Sequence, residues 1–222
     1  MIRRDYILRM VAEMVQVLAR VISLKSRQEY EQALQEINAA LRGLRDDSDD
    51  PARELSLTDW IALCRKHEQA ASGLMVAVAD LLKEQGDVLT AQGKPDASTR
   101  SRALALGLFL EALLNAETFV TAELLAKVED LFAQVHTTLS DSEVWRRLVR
   151  YFEARGRFAH AEDALFAWQA TGDPSAVNEG PAFYERLASQ TDDALERGDL
   201  PRVELEQGRR DFTDTTQRSR RS

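Results

Sequence analysis

The stretch that most constrains the fold is "EVWRRLVRYFEARGRFAHAEDALFAWQATGDP", residues 143–174. Trp145, Leu148 and Phe152 fall at three- and four-residue steps, which gives one helix a single large apolar face. Gly156 follows, where a turn between helices needs a residue tolerant of positive φ. Phe158, Ala161 and Leu165 resume the same period on a second helix, with the small residue where two backbones would come closest, and Pro174 closes the run. Two amphipathic helices joined by so short a turn are antiparallel neighbours, each burying its stripe on the other.

The rest of the chain reads as helix, with no strand alternation. In "MIRRDYILRMVAEMVQVLARVISLK" the residues Ile7, Met10, Val11, Met14, Val17, Leu18, Val21 and Leu24 mark a one-faced helix. Arg9, Glu13, Gln16 and Arg20 interrupt any signal-peptide core, and there is no apolar run of about 18 residues, so a cytoplasmic location is expected. Ser26 to Glu29 has the form of a capping box opening the helix "EYEQALQEINAAL". Residues 45–55, "RDDSDDPAREL", read as a solvated loop. A helical region opens at Thr58, and a long helix over "LMVAVADLLKEQGDVLTAQG" ends near Gly93, with Pro95 past its stop. Ser98 or Thr99 is the expected cap of "RALALGLFLEALL", which is apolar nearly all round and so belongs at the centre of the packing. A further helix is expected from about Thr118 to Thr138. Pro181 and Pro201 suit first helical turns, and Gly198 suits a C-cap. One domain over 1–206 is expected, with 207–222 as a disordered basic tail.

The order and spacing within 143–174 resembles the tetratricopeptide repeat. Val149 departs from that pattern where it prefers a small residue, and Trp168 where it prefers alanine. Weaker echoes are Tyr30, Ala33, Ile37 and Ala40, and then Leu82, Gly86, Leu89 and Gly93. The resemblance implies an all-α fold, an irregular tetratricopeptide-like array of stacked helix hairpins forming a right-handed superhelix. The opening "MIRRDYILRM", the segment "YEQAL" and the closing "GPAFYERLASQTDDALERGDLPRVELEQG" are similar to a bacterial family of unknown function with tetratricopeptide-like helices. That likeness implies the same architecture and no particular chemistry.

A search for chemistry returns little. A net charge of −8 and a pI near 5.1 argue against a chain that coats nucleic acid, which needs a concentrated basic face. The one cysteine, Cys64, cannot form an internal disulfide and reads as a small buried residue. His67, His136 and His160 are widely separated, and Cys64 with His67 is at most half of a zinc site. "GDVLTAQGK" lacks phosphate-loop spacing, with six residues between its glycines and Pro95 in place of the hydroxyl residue. No catalytic residue, metal or cofactor is therefore expected.

What remains is surface. With Trp145 facing inward, Glu143, Arg146 and Arg150 follow the spacing of a concave groove, where two arginines one turn apart can grip a partner's carboxylates. The corresponding residues of the weaker echo, Asp80, Lys83 and Asp87, are of mixed sign. The expected function is a non-enzymatic scaffold that binds a protein or peptide, with homodimerisation through an open end of the array as a further expectation. The alternative is a small-molecule or lipid sensor, in which the helices around "ALALGLFLEALL" enclose a cavity.

Overall fold

The computed structural model describes residues 2–45, 54–67, 70–115 and 120–219. Among them all regular structure is helical, as the periodicity requires. Most of the acidic stretch read as a solvated loop lies outside the described residues. The chain divides into two compact units, Met1–Leu139 and Ser140–Ser222, where one domain over 1–206 was expected.

The first unit holds α1 (Ile2–Ser26), α2 (Tyr30–Arg42), α3 (Leu57–Arg65), α4 (Ala71–Ala91), α5 (Pro95–Asn115) and α6 (Ala122–Val135). The turn between α1 and α2 corrects the expected capping box. Ser26 is still helical and its hydroxyl donates back to the Ser23 carbonyl at 2.7 Å. The helix instead ends on Gln28 at φ 63°, with Glu29 N–H donating to the Leu24 carbonyl and Gln28 N–H to that of Lys25. Glu29 N–H, which a capping box would direct to the Ser26 hydroxyl, is thus already donated to the end of α1, and α2 starts at Tyr30 without a side-chain cap.

α4 and α5 form the central pair of this unit. Gly93 at φ +72° ends the turn after α4, and Pro95, past that stop as expected, stands at the first position of α5. Its missing N–H is one the first turn does not use. Ser98 is consequently not a cap but lies inside α5, buried, with its hydroxyl donating to the Gly86 carbonyl of α4 at 2.7 Å. Leu106, Leu108, Phe109 and Leu110 are wholly buried, as the all-round apolar character of this helix predicts. α3 begins at Leu57 under a Ser56–Asp59 capping box, and Leu57 packs onto Gly107, where a Cβ would stand 2.4 Å from its Cδ2. α6 is capped by Thr121 and ends at Val135, shorter than expected.

The second unit holds α7 (Ser142–Ala154), α8 (Phe158–Ala170), α9 (Pro174–Ala188), α10 (Asp192–Arg197) and α11 (Arg202–Ser219). The α7–α8 hairpin forms as its spacing predicts: Trp145, Leu148, Phe152, Phe158, Ala161 and Leu165 are all buried, and so are the departing residues Val149 and Trp168. Gly156 takes φ +67°, and Arg157 N–H closes on the Phe152 carbonyl at 2.9 Å. Pro174 does not end α8. Gly172 does so at φ +79°, and Pro174 opens α9 at its first turn. Pro181, expected in a first turn, lies inside α9, where its ring nitrogen cannot donate to the preceding turn. Pro201 precedes α11.

Gly198 is the C-cap of α10 and also a packing position. A Cβ there would meet Phe158 Cδ2 at 2.4 Å and the Gly156 carbonyl oxygen at 2.7 Å. Its own carbonyl accepts from Ala159 N–H at 3.0 Å, so the residue locks α10 against the hairpin turn. The expected disordered tail is, over its described residues, the continuation of α11 to Ser219. Leu205 and Phe212 are buried, Phe212 lying edge-on to Phe166 and Tyr184. Gln169 of α8 donates to the Phe212 carbonyl at 3.0 Å and to Thr216 Oγ1 at 2.8 Å. Two inward apolar residues and one side-chain clamp hold a helix whose average composition is polar.

Candidate interaction surface

Asp141 caps α7, accepting from Glu143 N–H at 2.8 Å, and burial of Trp145, Leu148 and Phe152 sets the rotation of the helix. Trp145 then points inward and Glu143, Arg146 and Arg150 outward, about two-fifths exposed. None of the three stands idle. Glu143 pairs with Arg146 and, at 2.9 Å, with Arg147; burial raises its carboxyl pKa but the two guanidinium groups outweigh it, so the net direction is down. The Arg146 guanidinium lies 5.8 Å from the Trp168 ring centre. Arg150 bonds Glu179 of α9 at 3.2 Å, and Arg186 of α9 holds Glu153 of α7 through two bonds of 2.7 and 2.8 Å. This charged face fastens α7 to α9. A partner's carboxylate would compete here with the chain's own.

The second triplet lies on α4, in the first unit. Asp80 accepts from Lys127 of α6 at 2.8 Å; burial raises its pKa against the pull of that ammonium. Asp87 meets Lys25 of α1 at 3.1 Å, Lys83 at 3.2 Å and Arg102 of α5 at 2.9 Å. Burial raises its pKa, and these cations together bring the net direction below the ordinary value. Lys25 also reaches the buried Glu84, whose other oxygen lies 3.3 Å from Lys83. The structure brings Lys83 and Asp87 together and sets Asp80 apart with Lys127. These groups tie α1, α5 and α6 to α4, a structural assignment for residues read from sequence as groove contacts.

A surface the sequence reading passed over lies on α1. Met14 and Val21 are buried, and α1 packs on α2 and α4. Yet Val15 is 57% and Ile22 48% exposed, and Ala12 and Ala19 in line with them are exposed too, with Val11 and Leu18 half-buried alongside. Positions 12, 15, 19 and 22 follow steps of three, four and three, which on a helix makes one continuous strip. The helix is two-faced. The signal was present in the periodicity, masked because Val11 and Leu18 were counted with the buried stripe.

With the two units and their surfaces in place, comparison with known proteins gives one match. The profile of DUF6483, described as a family of unknown function, aligns with residues 1–217. The chain belongs to this family. No curated protein and no solved structure matches it. The DUF6483 match spans both distinctive ends of the chain: "MIRRDYILRM", which enters α1, and the closing segment, which forms most of α9 through the start of α11.

Other reactive groups are placed for structure. Cys64 is fully buried, and burial pushes its thiol up to about 12, so no thiolate nucleophile forms near neutrality. His160 is exposed, its ring 5.6 Å from that of Phe152. Among the described residues no three His, Cys, Asp or Glu side chains are grouped to hold a metal ion.

Proposed function

We propose that the chain is a non-enzymatic interaction scaffold of tetratricopeptide-like hairpins, acting in the cytoplasm on a protein partner. The observation that carries this reading is the exposed aliphatic strip Ala12, Val15, Ala19 and Ile22 on α1. An aligned apolar strip on the solvent side of a helix marks a face that another helix can cover. The buried, protonated Cys64 and the internally paired charges of α4 and α7 support a binding role over a catalytic one. Among the described residues no helix is long and apolar enough to cross a membrane.

The test is affinity capture of the tagged chain from its native cells, run beside a Val15→Glu/Ile22→Glu variant and an Arg146→Glu/Arg150→Glu variant. The expected result is a protein retained by the parent and by the arginine variant but lost from the α1 variant, with all three melting cooperatively. Loss from the arginine variant alone would return the site to α7. Retention of nothing by any version would remove the scaffold reading.

A second reading, ligand binding, has one observation in its favour. An open pocket of about 460 Å³ in the first unit is lined by Leu41, Trp60, Leu82 and Leu104 together with Arg42 and Arg100, the latter paired with Glu54. It lies beside the tightly packed centre of α5 and not within it. A rise in melting temperature with an amphipathic anion such as palmitate, absent in an Arg42→Glu/Arg100→Glu variant, would favour it.

A further inference from the structure

We infer that the α1 strip is covered by a second copy of this chain, the two α1 helices packing antiparallel about a two-fold axis level with residue 17. The inference rests on the reading of α1 as a docking face and names its occupant.

The strip is its own complement. Ala12 and Ile22 stand equally far from residue 17, and so do Val15 and Ala19. Antiparallel pairing about that point sets Ala12 against Ile22 of the second copy and Val15 against Ala19 of the second copy. Each layer then joins one small and one large side chain. A parallel pair would set alanine on alanine and isoleucine on isoleucine, leaving gaps at two levels and crowding at the others. Small residues recur every seventh position, at Ala12, Ala19 and Ser26, which lets two helices approach closely along one line. A two-fold contact of this kind is isologous, and antiparallel helices also set opposite dipole ends side by side.

The middle of the strip suits an apolar contact. The strip is bordered by Gln16 and Ser23, both uncharged and exposed, while Arg20 is turned to Glu36 of its own α2 at 3.0 Å. The centre of the patch is thus free of charge, as the cores of interfaces are. Arg9 and Arg27 lie at the two ends, both exposed, and antiparallel pairing brings Arg9 of one copy near Arg27 of the other. These like charges oppose association, so added salt strengthens the dimer by screening them. The contact runs along about 20 Å of helix, at the small and reversible end of interface sizes.

The experiment is light scattering of the full chain over a dilution series at low and high salt, with cysteine cross-linking to fix the geometry. The expected result is a dimer that dissociates on dilution, persists to lower concentration at high salt, and is absent from Val15→Glu/Ile22→Glu with its helical melt retained. Cys64 is buried and does not compete for oxidation. An equimolar mixture of Val15→Cys and Ala19→Cys chains should form disulfide-linked dimers of one chain of each kind, and neither variant alone should link efficiently. Efficient linking of Val15→Cys with itself would overturn the antiparallel arrangement. A monomer at every concentration would overturn the second copy as occupant, while the capture experiment judges the docking face independently.

Discussion

Asp173 joins three helices through one carboxylate. It caps α9 by accepting from Ser175 N–H at 2.8 Å, accepts from Trp168 Nε1 of α8 at 2.9 Å, and accepts from the Ser142 hydroxyl of α7. Burial works against its charge, but these donors prevail and hold its pKa down to about 2. A depressed acid stabilises the fold fully above its unfolded pKa, near 3.9, and loses that contribution as pH falls through the folded value. Asp173→Asn should therefore melt lower at neutral pH, by about 2 kcal/mol for the lost charged acceptor. The gap between the two proteins should close between about pH 4 and pH 2; a gap unchanged over that window would deny the carboxylate its role. The same residue explains why Trp168 was hard to place from sequence. It departs from the small-residue preference of the repeat, yet a buried indole is stable wherever its N–H finds an acceptor. That acceptor lies in the next interhelical turn, across a Gly172 break that spacing alone had assigned to Pro174.

At the scale of elements, the amphipathic stripes and the α7–α8 pairing were legible, and the attachment of α11 was not. The α7–α8 hairpin could be read because each of its inward residues is large and falls on one period. α11 could not, because its attachment depends on Leu205 and Phe212 within a polar helix, together with a glycine of α9. A Cβ on Gly180 would stand 2.1 Å from Phe212 Cε1, so the absence of a side chain there is what admits the ring. Charges at solvent spacing on α4 and α7 read as exposed, and only the fold reveals that they face cations or carboxylates on neighbouring helices. The α8–α11 contact also contains an unfavourable charge. Glu162 accepts from the Tyr184 hydroxyl at 2.8 Å; burial raises its pKa most, and Asp163, Glu204 and Asp211 add to that. An acid whose folded pKa is raised destabilises the fold at any pH where it is ionised, and not below its unfolded pKa, where both states are protonated. Glu162→Gln keeps an acceptor for Tyr184 and removes the charge. It should raise the melting temperature at neutral pH, with the gain fading as pH drops below about 4; a lower melting temperature at neutral pH would show that the carboxylate serves the contact.

At the scale of the whole chain, the division after Leu139 had no mark in the sequence. Domain boundaries are usually read from composition, and the connection between α6 and α7 is short and resembles the other interhelical turns. The division is physical all the same, because the second unit carries a core of its own: Trp145, Trp168, Phe183, Tyr184, Leu187 and Leu195 are all at most 2% exposed. Residues 140–222 lie near the lower size at which a single core sustains a fold without disulfides or metals, roughly 70–80 residues. Interlocking contacts raise their chance of cohering: Gly198 against the hairpin turn, Gly180 against Phe212, and the Arg186–Glu153 pair between α9 and α7. Residues 140–222 expressed alone should therefore be helical and melt in one cooperative transition. Two of the three tryptophans, Trp145 and Trp168, lie in this segment, so its fluorescence reports its own core directly. Blue-shifted emission that moves red at the same temperature as helix is lost would establish an autonomous unit. Helix that fades gradually with solvent-like emission throughout would show that these residues need the first unit to fold.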